Sequence, residues 1–528
     1  MGHKLLKMKL KENTKPPSHR QQKVYNTFEE TDKNILIEAV AGSGKTTVLL
    51  ELLKRCKEDI LFLAFNTSIK DDIEKHIKKN AITNATASTL HSLGLSAVKL
   101  HYNSAIVNKS KNYDLIASVK RQNQAVYQYI DKQKWNKDKK KRLNEYKINF
   151  TLMSMNDVAR MYLTNDYDEV VGHMIAMDRH VEEFKYLEHL WNNLVETRMA
   201  YDVNPEIDID FVDMIYLPVQ YNLKIPITPT YIFIDEAQDL NLVQHTLIDN
   251  LINQGGVKRW VAVGDRRQSI YGFSGAHASS FDLFKERPNT IELPLDICYR
   301  CPKNVVASAN EIYNIMVPFK DYDGTVSEIS DVSMIKENSM VVCRNVSPLI
   351  ELYFALVNHE KEAYIKGEDI LNRILTFLRN HKFKTVRELL LDVSYDIMVL
   401  KADKENWLDK LKANKLEENR TCVEIMVDGG FINSHDQVDV LIAKLGEMFK
   451  KTKDGIMLCS IHKSKGLESD FVYILRENLI PSKFATSQQQ LEQEENLKYV
   501  ARTRAKEELY FLDPIEVKKD DQPRVGNN

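Results

Sequence analysis

The sequence has no long hydrophobic run, whereas a membrane-spanning helix needs roughly 20 consecutive apolar residues. The basic stretch from Met1 to Lys15 has no apolar core of the kind a signal peptide needs, so it reads as a solvated tail. A chain away from membranes, cytoplasmic or nucleoid-associated, is expected. Cysteine is scarce: 6 in 528 residues, too few for a disulfide framework. Cys298 and Cys301 form a C-x-x-C, but no second Cys or His pair stands close by. A structural zinc needs four ligands, so two reduced thiols are the expectation. Charge of one sign is lacking too. The net charge is -2, so any nucleic-acid site must be a local patch rather than a global basic field. Short-period repeats and low-complexity linkers are also absent.

What is present is ordinary in bulk. Hydrophobic residues make up 43% and charged residues 28%, as in a soluble globular protein of several domains. Ile35–Ile37, Ile60–Phe65, Tyr231–Ile234 and Trp260–Val263 are short apolar runs, most followed by a helical pattern. Met340–Cys343, Ile456–Cys459, Phe471–Leu475 and Leu509–Leu512 repeat that grammar. Continuous apolar strands alternating with helices predict α/β domains with parallel sheets covered on both faces. Residues 1–95 and 227–318 read as the first such domain and 96–226 as a mostly helical insertion in it. Residues 319–366 and 454–515 read as the second, 367–453 as a shorter helical insertion, and 516–528 as a polar tail.

Two segments carry phosphate chemistry. Ala39-Val40-Ala41-Gly42-Ser43-Gly44-Lys45-Thr46-Thr47 follows a strand and opens a helix, the context of a P-loop. Its glycines let backbone N–H groups face phosphate oxygens, and the helix N-terminus adds positive potential. Lys45 is placed to reach the β- and γ-phosphates, and the Thr46 hydroxyl to ligate Mg²⁺. The strict pattern has Gly where this chain has Ala39. The second segment, Ile232-Phe233-Ile234-Asp235-Glu236-Ala237-Gln238-Asp239, is a strand ending in carboxylates. Asp235 suits a Mg²⁺ ligand, and Glu236 can orient or deprotonate an attacking water.

With these and further segments in order, the chain resembles the superfamily 1 helicases of the UvrD/Rep/PcrA type. The segments are Ser18–Gln21, Ala64-Phe65-Asn66, Thr89–Gly94, Val263–Phe273, Tyr299-Arg300, Ser460–Glu468 and Tyr499–Ala505. The resemblance implies two tandem RecA-like P-loop NTPase domains with ATP held between them. It implies an adenine contact at Gln21, with Gln22 the near alternative, and adenine stacking at Tyr299. It further implies ribose contact at Glu468, γ-phosphate sensing at Gln268, and arginine fingers at Arg300 and Arg504. Phe65, Asn66, Thr89, His91, Tyr271, Phe273, His462 and Lys465 are implied contacts for DNA.

Single-stranded DNA and single-strand/duplex junctions are the implied substrates, with 3′ to 5′ travel. The alternative is a DNA-stimulated ATPase switch, or a translocase subunit acting with a nuclease or repair partner. Three departures bear on coupling: Thr47 and Ser274 stand where relatives commonly carry Arg, and Phe273 replaces a Trp. A basic run, Lys132 to Arg142, has seven basic residues in eleven and reads equally as a solvated face or a phosphate contact. After Arg504 there is no further carboxylate cluster, which disfavours a nuclease.

Overall fold

The computed structural model describes residues 16–513, apart from 135–142, 178, 180, 183, 273–278, 381–382, 403–406, 452–454, 484 and 486. Phe273, Ser274 and most of the basic run therefore lie outside the described residues. The apolar runs are strands of two separate sheets. β1 (Asn34–Ala39), β2 (Ile60–Ala64), β3 (Ala85–Thr89), β4 (Tyr231–Ile234), β5 (Arg259–Gly264) and β6 (Thr290–Leu295) make the first. Its order is β3-β2-β4-β5-β1-β6 and every pair is parallel. Successive side chains point to opposite faces. Ile35, Ile37, Phe62, Phe233 and Val263 pack on one side with helices α1 (His19–Glu30), α2 (Lys45–Arg55) and α3 (Thr67–Lys79). Leu36, Leu63, Ile232 and Ala262 pack on the other with α4 (Leu90–His101) and the helix Leu242–Asn253.

β7 (Thr325–Ile329), β8 (Met340–Cys343), β9 (Ala363–Ile365), β10 (Ile456–Ser460), β11 (Ser469–Leu475) and β12 (Ala505–Leu512) make the second sheet. Its order is β7-β12-β11-β8-β10-β9, again all parallel. The two sheets are joined by a shared core. Val40, Ala41 and Ile270 from the first pack with Val342, Ile474, Tyr499 and Val500 from the second.

The stretch between β3 and β4 is largely helical, and the strand Ser104–Val107 pairs with Glu206–Ile209 to tie its start to its end. It has a core of its own around Leu152, Met155, Leu190 and Trp191. Helix α4 crosses residue 96, where the sequence pattern begins the insertion. Leu93 and Ala97 of this helix pack on the first sheet, so it belongs with that sheet. Among the described residues, the helices between β9 and β10 have no separate core: Leu389, Val393, Met426 and Leu441 are continuous with Val341 and Leu458 of the second sheet. No helix among the described residues is long and apolar enough to cross a membrane.

Candidate nucleotide cleft and nucleic-acid face

The turn between β1 and α2 needs its glycines for two reasons. Gly42 and Gly44 have φ of 70° and 84°, the left-handed region that L side chains rarely adopt. A Cβ on Gly42 would also stand 2.6 Å from the Cβ of Arg300. Gly44 caps α2 without a side-chain hydrogen bond, which leaves the helix N-terminus open to an anion. Ser43 Oγ, beside it, is buried with no partner among the described residues.

Lys45 Nζ donates to Glu236 Oε2 at 2.8 Å. Burial opposes the charge on Lys45, but Glu236, Asp235 and Asp265 hold its pKa above the ordinary value. Burial likewise pushes Glu236 upward, yet the ammoniums of Lys45 and Lys465 outweigh it and hold the carboxyl at about 2. Asp235 moves the other way, to about 7, through burial and the neighbouring Glu236. Gln238 joins this strand end to the next: Nε2 donates to Glu236 Oε2 at 2.6 Å, and Oε1 accepts from the Asp265 N–H at 3.0 Å. Gln268 Nε2 in turn donates to Asp265 Oδ2 at 2.7 Å.

The opposing wall comes from distant parts of the chain. Arg300 donates to Glu468 Oε2 at 2.9 Å and to the Thr503 carbonyl at 3.0 Å. Burial opposes its charge, but Glu468 keeps its pKa above the usual value. Arg504 is fully buried, donates to the Val500 carbonyl at 2.8 Å, and reaches Gln268 Oε1 at 3.4 Å. Burial and then the like charge of Arg300 bring it down to about 9. Tyr299 N–H donates to the Gly42 carbonyl at 2.9 Å, and the Tyr499 hydroxyl accepts from the Ala41 N–H at 3.0 Å. Gln21 Oε1 accepts from the Ser18 N–H within a helix-capping box, and its Nε2 lies beside Gly44. Thr46 and Thr47 are exposed on the first turn of α2.

Among the described residues no three His, Cys, Asp or Glu side chains form a metal cage. A hard cation held by Thr46 and Asp235 would complete its shell with phosphate oxygens and water, the usual habit of Mg²⁺. Cys298 and Cys301 flank Arg300, both fully buried, with the Cys301 N–H donating to Cys298 Sγ at 3.4 Å.

A second surface lies beyond the carboxyl ends of β2 and β3. Asn66 and Thr89 cap α3 and α4, each side chain accepting a backbone N–H. Phe65 and Tyr271 are nearly parallel, 6.0 Å apart. Together with Asn66, Thr89 and His91 they line a cavity of about 490 Å³. Its far wall is Phe211, a residue the motifs did not single out, stacked on His91 at 3.7 Å. Buried charges hold its loop: Arg160 donates to Asp210 and Asp213, and Lys111 to Asp213. The acidic residues either side of an exposed Phe were the available signal.

Lys465, an expected DNA contact, lies between the two surfaces. Its ammonium is paired with Asp239, donates to the Gln268 carbonyl at 2.7 Å and lies 4.8 Å from the Tyr271 ring centre. A buried cation needs a carboxylate, and Asp239 supplies one. His462 is held at about 4 by burial and the charges of Arg344 and Lys463.

Two parallel sheets facing each other across a P-loop, with arginines on the far wall, define a P-loop NTPase built from tandem RecA-like domains. Residues 18–289 match the family model described as the UvrD/REP helicase N-terminal domain, and residues 430–513 the UvrD-like helicase C-terminal domain. The chain belongs to the UvrD/REP helicase family. It is 22% identical to the ATP-dependent DNA helicase Rep of Buchnera aphidicola subsp. Acyrthosiphon pisum, over 92% of this chain and 93% of that protein. It is 26% identical to the F-box DNA helicase protein 1 of Schizosaccharomyces pombe, over 95% of this chain but only 58% of that longer protein. A shorter stretch, 20% of this chain and 15% of the relative, is 36% identical to the ATP-dependent DNA helicase PcrA of Staphylococcus epidermidis.

Proposed function

We propose that this chain hydrolyses ATP to drive itself 3′ to 5′ along single-stranded DNA and to unwind duplex ahead of it. One observation carries the reading. Gln268, bonded to Arg504 of the far wall, is three residues from Tyr271, which lines the aromatic cavity. A change at the phosphate end therefore reaches the base-facing end through very little structure.

Lys45 holds the β- and γ-phosphates, and the open N-terminus of α2 adds its N–H groups. When Lys45 turns to phosphate, Glu236 is released to take a proton from the attacking water. Arg300 and Arg504 stabilise the charge that builds on the γ-phosphoryl oxygens. Thr46 and Asp235 would hold Mg²⁺, which when bound would supply further neutralisation of that charge. Phe65, Tyr271 and Phe211 offer faces for bases, while the N-termini of α3 and α4 suit the phosphate backbone.

Unwinding of duplexes carrying a single-stranded tail at one end tests the proposal. Activity on the 3′-tailed substrate alone is expected. Activity confined to the 5′-tailed substrate overturns the polarity, and ATP turnover without strand displacement favours a translocase subunit that works with a partner.

A further inference from the structure

Helix α5 (Gln488–Arg502) faces the first sheet with Asn496 and Tyr499, which are three residues apart and so on one side of it. Asn496 Nδ2 donates to the carbonyl of Ser269 at 2.9 Å and to that of Arg266 at 3.4 Å. The Tyr499 hydroxyl bonds the P-loop at Ala41. One helix of the second domain thus touches two of the three first-domain loops that carry charged or polar groups of the cleft. Tyr313 serves both contacts. Its hydroxyl donates to Asn496 Oδ1 at 2.9 Å, and its ring meets that of Tyr499 edge-on with centres 5.7 Å apart.

An amide can be turned either way, and its partners decide which way it lies. The Tyr313 O–H donates, so Oδ1 of Asn496 faces it and the amide N–H₂ faces the two carbonyls. The Gln268 carbonyl, next in the chain to that of Ser269, accepts from Lys465. Two consecutive carbonyls between Gln268 and Tyr271 are therefore held by side chains of the second domain.

We propose that Asn496, oriented by Tyr313, is a positioning residue that fastens the Gln268–Tyr271 segment to the second domain. Movement of one sheet against the other is passed through it to Tyr271. Asn496 acts through this backbone and not on the reacting atoms. The inference rests on the motor reading above.

Steady-state ATPase of the full chain with and without oligo-dT tests it, alongside thermal melting. N496A is expected to lower DNA-stimulated turnover about tenfold with the KM for ATP moving less than about twofold. N496D keeps an acceptor for Tyr313, removes both donors, and is expected to match N496A. Y313F alone is expected to cost about threefold, and nothing further on the N496A background, because it acts through the same amide. Normal stimulation in both Asn496 variants overturns the proposal. So do losses that multiply in the double variant, or a fall in turnover accompanied by an equal loss of nucleotide affinity and melting temperature. A wild-type chain that oligo-dT does not stimulate removes the motor reading itself, which is a different failure from a stimulated wild type with indifferent variants.

Discussion

On the first wall of the cleft the charged groups stand just past the carboxyl ends of strands: Lys45 after β1, Asp235 and Glu236 after β4, Asp265 and Gln268 after β5. On the second wall Glu468 and Arg504 stand just before the amino ends of β11 and β12. Parallel sheets usually present ligands to their carboxyl ends, where helix N-termini gather. The first sheet follows that rule at the cleft and, through Phe65 after β2 and His91 after β3, at the cavity as well. The second sheet splits the work. Its carboxyl ends carry Arg344 and His462, and its amino ends carry Glu468 and Arg504, which line the cleft. The first wall is thus a binding surface that the fold provides in general, and the second a set of reaching side chains.

If that division is right, damage to the first wall should be the more severe. Lys45→Ala is expected to lower turnover by at least about 10³-fold, since phosphate loses both its cation and its positioning. Glu236→Gln is expected to bind ATP and lower turnover about 10²–10³-fold, measured with saturating single-stranded DNA. Turnover at the wild-type rate in Glu236→Gln would remove it as the base. Arg300→Ala and Arg504→Ala are each expected to cost about 10²-fold in turnover, with the KM for ATP changing little, the mark of an interaction made in the transition state. Equal loss of affinity and no loss of turnover would make the second wall a binding wall like the first. A smaller effect is expected where the walls touch. Gly42→Ala forces a strained φ and a collision with Arg300, so a loss of about 2 kcal/mol in thermal or urea unfolding is expected.

The same division explains what could be read from the residues alone. The apolar-run criterion names the strands β1, β2, β4, β5, β8, β10, β11 and β12, which are all the interior strands of the two sheets. It names none of the four edge strands, β3, β6, β7 and β9. An edge strand has one neighbour and open flanks, so it need not be apolar throughout. β3 reads Ala-Thr-Ala-Ser-Thr, and β7 is half-exposed or exposed along its length. β9 is buried but has only 3 residues, too few for a run. At the candidate site, strand–loop–helix grammar singles out Lys45 and Glu236, and the fold pairs them at 2.8 Å. Nothing local in the sequence marks Arg504, which depends on resemblance. The partner of Lys465 could not be read from its motif: its ammonium pairs with Asp239, four residues beyond Asp235, which only folding brings to it. Asn496 and Tyr313 are 183 positions apart and form a pair only through folding.

The smallest expected effect separates the two domains by the cause of a shift rather than its size. His91 and His462 are both held at about 4. For His91 the cause is burial alone. For His462 burial comes first, and the positive charges of Arg344 and Lys463 add to it. In both, the folded chain refuses a proton that the unfolded chain accepts below about pH 6.5. Stability should therefore fall as pH drops from about 6.5 towards 4, and replacing either His with Gln should reduce the steepness of that fall. Salt then distinguishes them. A Coulombic contribution is screened at high ionic strength, whereas a desolvation cost is not. Ring-proton NMR titrations in low and high salt should move the pKa of His462 upward and leave that of His91 in place. Equal movement of both would mean that charge, and not burial, also governs the first-domain face, and the contrast between the two domains at this surface would be lost.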